Sequence, residues 1–465
     1  MLKKIKNLDP IILITTFLLI SIGIFTLFSL TLSDARFRAD LIQREFEDQI
    51  LFLVIGLFLS ILVFAIPFYY LKLKTILLSI GAITILVLTY TIFFGLEVKG
   101  VKRWISIGAT VTQDGSLIGG FSVQPSEFAK LSMIIITSAL LSYFVGKIEN
   151  ATFLKTKIKN FFIQNRCLFL AIIFNFIVLG LVLAQKSLSV TLVLFFIMLF
   201  MIFASIENKK NAFFLFIAFF ASLITSQNIL FNLDIIFRIG IFIVPIMIYI
   251  YSIYSGKIND IAVLVTILAG LIFGSIFVNY IWNDVFREYQ RDRVLAFVSP
   301  DSETKTDNFQ QEQSEISIGA GQVFGQGFRQ ISDSRLLLLP EPTTDFIFAI
   351  FSFKFGFVGS VILILLFAVL VGRIYFLADK MNDRYSSLLL IGIASMILIQ
   401  FFLNISMNLG LIPVGGTTLP FISAGGSSLI SLMISIALVL NIISTNRMEK
   451  TIYQRRDKVA IEGWN

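Results

Sequence analysis

Apolar residues fall in blocks of about twenty along most of the chain, separated by short polar stretches. A helical block of that length crosses a bilayer core of ~30 Å. The pattern predicts spans over 10–31, 50–71, 75–96, 126–146, 167–185 and 188–206, then 212–230, 233–254, 259–283, 345–372, 385–409 and 424–445. The 212–230 block is the most dilute, because Thr225, Ser226, Gln227 and Asn228 interrupt it. The expected fold class is an all-α polytopic membrane protein, a bundle of 10–12 transmembrane helices in one domain over 1–465. Spans seven and eight can drop out only as a pair, which keeps the parity even.

Lys and Arg collect at alternate junctions: Lys3, Lys4 and Lys6, Lys72 and Lys74, Lys147 to Arg166, Lys209 and Lys210, Lys257, Arg373 to Arg384, and Arg447 to Lys458. Cations concentrate on the cytoplasmic side of a membrane protein, so both termini are expected there. Three segments on the opposite side are too polar to cross: 97–125, 284–344 and 410–423. The 284–344 loop is the long one, dense in charge and Gly. Transporter sites sit near the bilayer midplane, and long loops are usually functional or disordered. Chemistry on the outer face is the inference.

Composition sharpens this picture. Of 465 residues, 57% are hydrophobic and 14% charged, with a mean hydropathy of +0.90, against roughly 25% charged in soluble domains. The net charge of +8 is explained by the basic junctions, and no nucleic-acid partner is expected. With no His, imidazole chemistry and most zinc sites are excluded. The single Cys167 cannot close an intrachain disulfide. Carboxylates, Lys, Arg and hydroxyls remain. The start, MLKKIKNLDP before an apolar run, lacks a small-residue cleavage site and reads as an uncleaved first span.

Four stretches carry candidate chemistry. The first pairs Arg103-Trp104 with Gln124-Pro125-Ser126-Glu127-Phe128-Ala129-Lys130. Pro125 suits a first helical turn, which puts Glu127 and Lys130 one turn apart on one face. Either they line a polar interior, or the acid at a helix start is neutralised by its own Lys. Arg103-Trp104 equally fits an interfacial aromatic with a snorkelling cation. The second is the large loop, where Arg287, Arg291 and Arg293 could clamp a phosphate. Its carboxylates Asp301, Glu303 and Asp307 could accept a proton or hold a divalent cation, and Gln313-Ser314 follow. The third is Leu339-Pro340-Glu341-Pro342-Thr343-Thr344-Asp345; Thr344 or Asp345 can cap the next helix, whereas Glu341 between prolines is not explained by capping. The fourth, Pro413 to Ser428, includes Ser423 in Gly-rich backbone, tolerated at membrane depth only when buried or lining a polar cavity.

Taken in order, QPSEFAK at 124–130, LPEPTTDFIFA at 339–349 and PVGGTTLPFISAGGSS at 413–428 resemble the SEDS proteins of bacterial wall synthesis, the FtsW/RodA/SpoVE family. The likeness runs from Asp9-Pro10 nearly to the last span. It implies a glycosyltransferase of the bacterial plasma membrane that polymerises lipid II into glycan strands, in cell division or elongation, beside a class B penicillin-binding protein. The Glu341-Pro342 pair leans toward the FtsW-like versions. Spacing from Phe297 to Gly319 places Glu303 where the family carries its catalytic Asp, with Mg or Mn as an expected cation. Arg103, Trp104, Glu127, Lys130, Arg293, Gln313, Ser314, Glu341, Asp345 and Ser423 become the substrate-binding candidates.

The chain departs from the family at Gln185-Lys186-Ser187-Leu188-Ser189, where Gln-Pro-Asp-Leu-Gly is usual, at Phe353-Lys354 in place of two Glu, and at Ala424 in place of Tyr. The Gly pair expected after the catalytic position is absent from 304–309. A non-catalytic scaffold for the penicillin-binding protein and a lipid II flippase are the alternative functions.

Overall fold

The computed structural model describes residues 2–32, 39–98, 101–108, 110–111, 117–118, 121–142, 166–206, 305–327 and 342–462. Contacts divide the chain into two compact units, one of 1–145, 149–201 and 309–465, the other of 146–148 and 202–308. Nearly all described residues belong to the first unit.

The described helices of more than five residues are α1 (Pro10–Thr31), α2 (Ala39–Ala65), α3 (Lys74–Phe94), α4 (Pro125–Ser142), α5 (Arg166–Ala184), α6 (Leu188–Ala204), α7 (Lys305–Ala320), α8 (Ile347–Asp379), α9 (Arg384–Asn408) and α10 (Gly426–Glu462). Among the described residues seven helices are long and apolar enough to cross a membrane, and α6 is a shorter apolar helix. The chain is a multi-pass membrane protein. The expected spans over 212–230, 233–254 and 259–283 lie outside the described residues. The other nine are helical within a few residues, with instructive exceptions.

The second helix starts at Ala39 rather than near 50. Its added turns, ADLIQREFEDQ, are too charged to score as membrane. Yet Ile42 and Gln49 are buried and the Phe46 ring sits 5.7 Å from Phe28, so one face packs while Arg44, Glu47 and Asp48 face outward. Helix α10 likewise runs past the predicted end at 445 to Glu462.

The polar 97–125 segment folds as strands. Strands β1 (Leu96–Val98), β2 (Val101–Ile107) and β5 (Phe121–Val123) form an antiparallel sheet in the order β1-β2-β5, with Leu96 opposite Trp104 and Ile105 opposite Val123. Strands β3 (Thr110–Val111) and β4 (Leu117–Ile118) pair separately. Within the 284–344 loop, the sequence QQEQSEIS is helical, as α7.

Where both termini enter the bundle, three helices are tied by one carboxylate. Asp9 caps α1, accepting from the Ile12 N–H, and Pro10 follows at the first helical position. It is fully buried, and accepts from Arg373 Nη2 at 2.8 Å and Arg447 Nη2 at 2.6 Å. Lys4 Nζ donates to Asn441 Oδ1 at 2.8 Å, and the Asn441 amide donates to the Val63 and Ile66 carbonyls that end α2.

Helix α8 is broken at Gly356, where φ is 66° and ψ −165°. The turn after α7 inserts into that break: Phe357 N–H donates to the Gln322 carbonyl at 2.8 Å and Gly327 N–H to the Lys354 carbonyl at 3.0 Å. A β-carbon on Gly356 would collide with the Gly325 backbone, so the residue is required by both its φ and the close approach. Beside the break, Lys354 is buried and its Nζ donates to the Ser29 carbonyl at 2.8 Å, near the end of α1.

Candidate functional site

At the opposite end of the bundle the irregular segments 342–346 and 409–425 meet the starts of α4, α6 and α10. Pro125 opens α4 and brings Glu127 and Lys130 onto one face, as the spacing predicts. Both are buried, and Lys130 Nζ lies 2.6 Å from Glu127 Oε2. The Glu127 carbonyl accepts from Ser431 Oγ of α10 at 2.9 Å, and Gln124 N–H donates to Ser427 Oγ at 2.9 Å. The start of α4 that carries the pair is therefore locked against the helix that follows the Gly-rich segment.

That segment is held by side chains aimed at its backbone. Ser423 Oγ donates to the Thr344 carbonyl at 2.6 Å and accepts from Leu419 N–H at 2.7 Å. Ala424 N–H donates to the Thr343 carbonyl at 2.9 Å, so 342–345 and 419–424 are laced together. From α2, Gln49 clasps both sides of Ala424: its Nε2 donates to the Ser423 carbonyl at 3.2 Å and its Oε1 accepts from Gly425 N–H at 3.0 Å. One turn earlier Glu45 Oε2 accepts from Thr343 Oγ1 at 2.6 Å.

Helix α9 supplies the second clasp. Asn404 Nδ2 donates to the carbonyls of Asp345 and Thr417, and Asn408 Nδ2 to the same Asp345 carbonyl at 3.0 Å. Asn408 Oδ1 accepts from Ala349 N–H, and Ser314 Oγ of α7 donates to the Asn408 carbonyl at 2.9 Å. Ser314 is thus an anchor of α7 on the bundle, while neighbouring Gln313 is buried with its Oε1 making no hydrogen bond among the described residues.

The capping expected of Thr344 or Asp345 does not occur. The N-cap of α8 is Phe346, without a side-chain cap bond, and Asn408 reaches a first-turn N–H group instead. The Asp345 carboxylate is directed to the Gly-rich segment, where Oδ2 would lie 3.3 Å from a β-carbon on Gly416. With φ 69°, Gly416 supplies both the turn and the room.

Arg103 does not snorkel: its Nε donates to the Gln185 carbonyl at 3.3 Å and its Nη2 to the Lys186 carbonyl. Trp104 is half-buried in the sheet opposite Leu96. Arg293, Glu303 and Glu341 lie outside the described residues, as do Asp301 and the flanking arginines. Between α3, α4 and the sheet runs an apolar cleft of about 310 Å³, lined by Ile83, Val87, Ile105, Val123 and Phe128 among others. Among the described residues no three of His, Cys, Asp or Glu gather as metal ligands.

Of the substrate-binding candidates, the structure places Glu127, Lys130, Ser314, Asp345 and Ser423 at one end of the bundle. Sequence reasoning missed Glu45 with Gln49, and Asn404 with Asn408. Both are polar pairs four residues apart, the spacing that puts two side chains on one helical face, and that spacing was the available signal.

These features define a polytopic membrane protein whose polar site lies at one end of the bundle, walled by broken, Gly-rich backbone. The FtsW/RodA/SpoVE profile, described as cell cycle protein, matches residues 10–245 and 238–448. The chain belongs to that family. It is 29% identical over 447 residues to stage V sporulation protein E of Bacillus subtilis, covering 96% of this chain and all of that one. It is 28% identical over 463 residues to peptidoglycan glycosyltransferase RodA of Treponema pallidum, covering 95% and 98%. Among solved structures it resembles a chain of a peptidoglycan synthase complex, described as coordinating polymerization and crosslinking, with a TM-score of 0.62 at 20% identity over 94% of this chain and 98% of that one. The Thermus thermophilus rod shape determining protein RodA gives 0.52 at 19% identity, over 94% and 97%.

Proposed function

We propose that this chain is a peptidoglycan glycosyltransferase that polymerises lipid II, acting as one functional unit over 1–465. The observation that carries the reading is the buried Glu127–Lys130 pair in the first turns of α4, which is bonded to the helix that follows the Gly-rich segment, in a chain of this family. An intramembrane ion pair without such a duty is costly to keep. The relatives named peptidoglycan glycosyltransferase support the same reaction.

In that reaction a sugar hydroxyl of the acceptor attacks the anomeric carbon of the donor. The C–O bond to undecaprenyl diphosphate breaks, and the hydroxyl proton passes to a carboxylate. Glu303 is that base in the proposal, with Arg293, Glu341 and the site residues above on the substrate. The apolar cleft beside α4 suits a hydrocarbon chain of the lipid-linked substrate. The site faces outward and both termini lie in the cytoplasm of a bacterium, in keeping with the Lys/Arg asymmetry. A class B penicillin-binding protein is the proposed partner, and Mg or Mn the proposed cation.

The test is purified protein with lipid II, with and without magnesium. Glycan polymer is expected from the parent and not from Glu303→Gln at matched protein levels. No polymer from the parent, with normal wall synthesis by its partner, would favour the scaffold. Passage of lipid II across vesicles without polymer would favour the flippase.

A further inference from the structure

The turn joining α5 to α6 holds a lysine in a conformation that lysine rarely adopts. Lys186 has φ 59°, in the left-handed region where Gly is the usual residue. The turn is a helix stop of defined form: Lys186 N–H donates to the Leu183 carbonyl at 2.8 Å and Ser187 N–H to the Val182 carbonyl at 3.4 Å. Those two bonds place Lys186 at the position after the helix end that glycine normally fills. Surrounding groups fix the turn further. Arg103 grips the carbonyls of Gln185 and Lys186, and Gln185 Nε2 donates to the Leu88 carbonyl at 3.1 Å.

The backbone thus asks for Gly and the chain supplies Lys. A cation near the end of a helix can stabilise it by bonding the last carbonyls. Among the described residues, however, Lys186 Nζ donates to none of them and forms no ion pair. The residue is half-buried, two positions before α6 opens. Ser189, in the first turn of α6, has its Oγ 3.3 Å from where a β-carbon on Gly415 would lie. The first turn of α6, three residues on from Lys186, therefore lies beside the Gly-rich segment. Of the other candidate cations, Lys130 is neutralised by Glu127, and Arg103 commits its Nε and Nη2 to main-chain carbonyls.

We infer that Lys186 binds the diphosphate of the lipid-linked substrate, and that Arg103 is a positioning residue which holds Lys186 in its left-handed turn. The inference rests on the polymerase reading for the identity of the substrate, while the chemistry recognised is a prenyl diphosphate. An ammonium without a partner among the described residues satisfies such an anion by charge-assisted hydrogen bonds. The same chemistry is offered by an anionic phospholipid headgroup, and the experiment separates the two.

The full chain in phosphatidylcholine nanodiscs is titrated with farnesyl diphosphate, then with farnesol. Lys186→Gly is expected to melt at or above the parent's temperature, because Gly suits the turn, and to bind farnesyl diphosphate roughly tenfold more weakly. Lys186→Arg should bind within about threefold of the parent, since it keeps the charge. Farnesol binding should be unchanged in both. Arg103→Gln should weaken diphosphate binding as Lys186→Gly does, with no further loss when the two are combined; additive losses would overturn the positioning role. Equal diphosphate binding by Lys186→Gly overturns the inference, as does displacement of farnesyl diphosphate by an equal concentration of phosphatidylglycerol. In polymerisation, Lys186→Gly should raise KM for lipid II roughly tenfold with kcat kept. Unchanged KM in a polymerising enzyme defeats this inference and leaves the polymerase reading intact. Lys186-dependent diphosphate binding by a parent that makes no polymer does the reverse.

Discussion

Replacing Lys130 by Met removes the one partner that the buried Glu127 side chain has among the described residues. The two groups are 2.6 Å apart, both buried, with no other hydrogen bond or ion pair to either side chain among those residues. At that separation the attraction is roughly 6 kcal/mol for an effective dielectric constant of about 20. Burial costs several kcal/mol per ion, so the intact pair contributes little net stability. Removing one member is different, because the other keeps its desolvation cost without the attraction. The expected loss for Lys130→Met is about 3–5 kcal/mol, roughly two to three and a half powers of ten in the folding constant. Glu127→Gln combined with Lys130→Met should recover most of it, since no charge is then stranded. Melting of the purified proteins reads the first effect, and polymer yield at matched protein levels reads the second. A site pair predicts that the double variant is stable and inactive; a stable, active double variant would make the pair a packing device. Were Lys130→Met alone to melt like the parent, the reasoning from burial would be wrong.

Two further predictions concern the frame. Burial raises the Asp9 carboxyl, but bonds from Arg373 and Arg447 outweigh it and hold the pKa below its ordinary 3.8. The stabilisation is therefore complete above about pH 4 and lost as pH falls through the lowered value. Asp9→Asn should cost roughly 3 kcal/mol at neutral pH, and the gap between its melting curve and the parent's should close in acid; a gap independent of pH would refute the assignment. Gly356→Ala should destabilise by at least about 1–3 kcal/mol, through its φ and the collision with Gly325. Unchanged melting would mean that α8 straightens without penalty.

How much of this was legible depends on which force wrote each feature. Spans are written by uninterrupted hydrophobicity, so nine of the expected blocks coincide with described helices. The outer turns of α2 were not legible because their charges mask a narrow packed face, Ile42 and Gln49 with Phe46 against Phe28. Segment 97–125 was too short in alternation to announce strands; its sheet depends on pairing between β2 and β5 across intervening residues. Glu127 and Lys130 were legible because charges inside an apolar run stand out. Asn404 and Asn408 were not, since neutral amides in a span read as dilution rather than design.

The same contrast explains how the site survives departures from the family pattern. Its walls are irregular backbone, and the bonds that hold them aim mostly at carbonyls, which every residue type presents, and at N–H groups, which all but proline present. Ala424 stands where Tyr is usual, yet what the structure uses at 424 is its N–H, on the Thr343 carbonyl. Lys354 stands where Glu is usual, and its ammonium bonds the carbonyl of Ser29 near the end of α1, a helix end that favours a cation. Positions read through their backbone tolerate substitution; positions read through a side chain do not. Gln49, Asn404, Asn408 and Ser423 do the reading, and substitutions at those four should cost more than at the positions they hold. Asn408→Leu is the sharpest case. It takes one donor from the Asp345 carbonyl and leaves the Ala349 N–H with the Phe346 carbonyl alone, at a cost of about 1–3 kcal/mol in buried hydrogen bonding. A leucine there that cost less than Ala424→Gly would show that side-chain packing, and not backbone capture, holds the site.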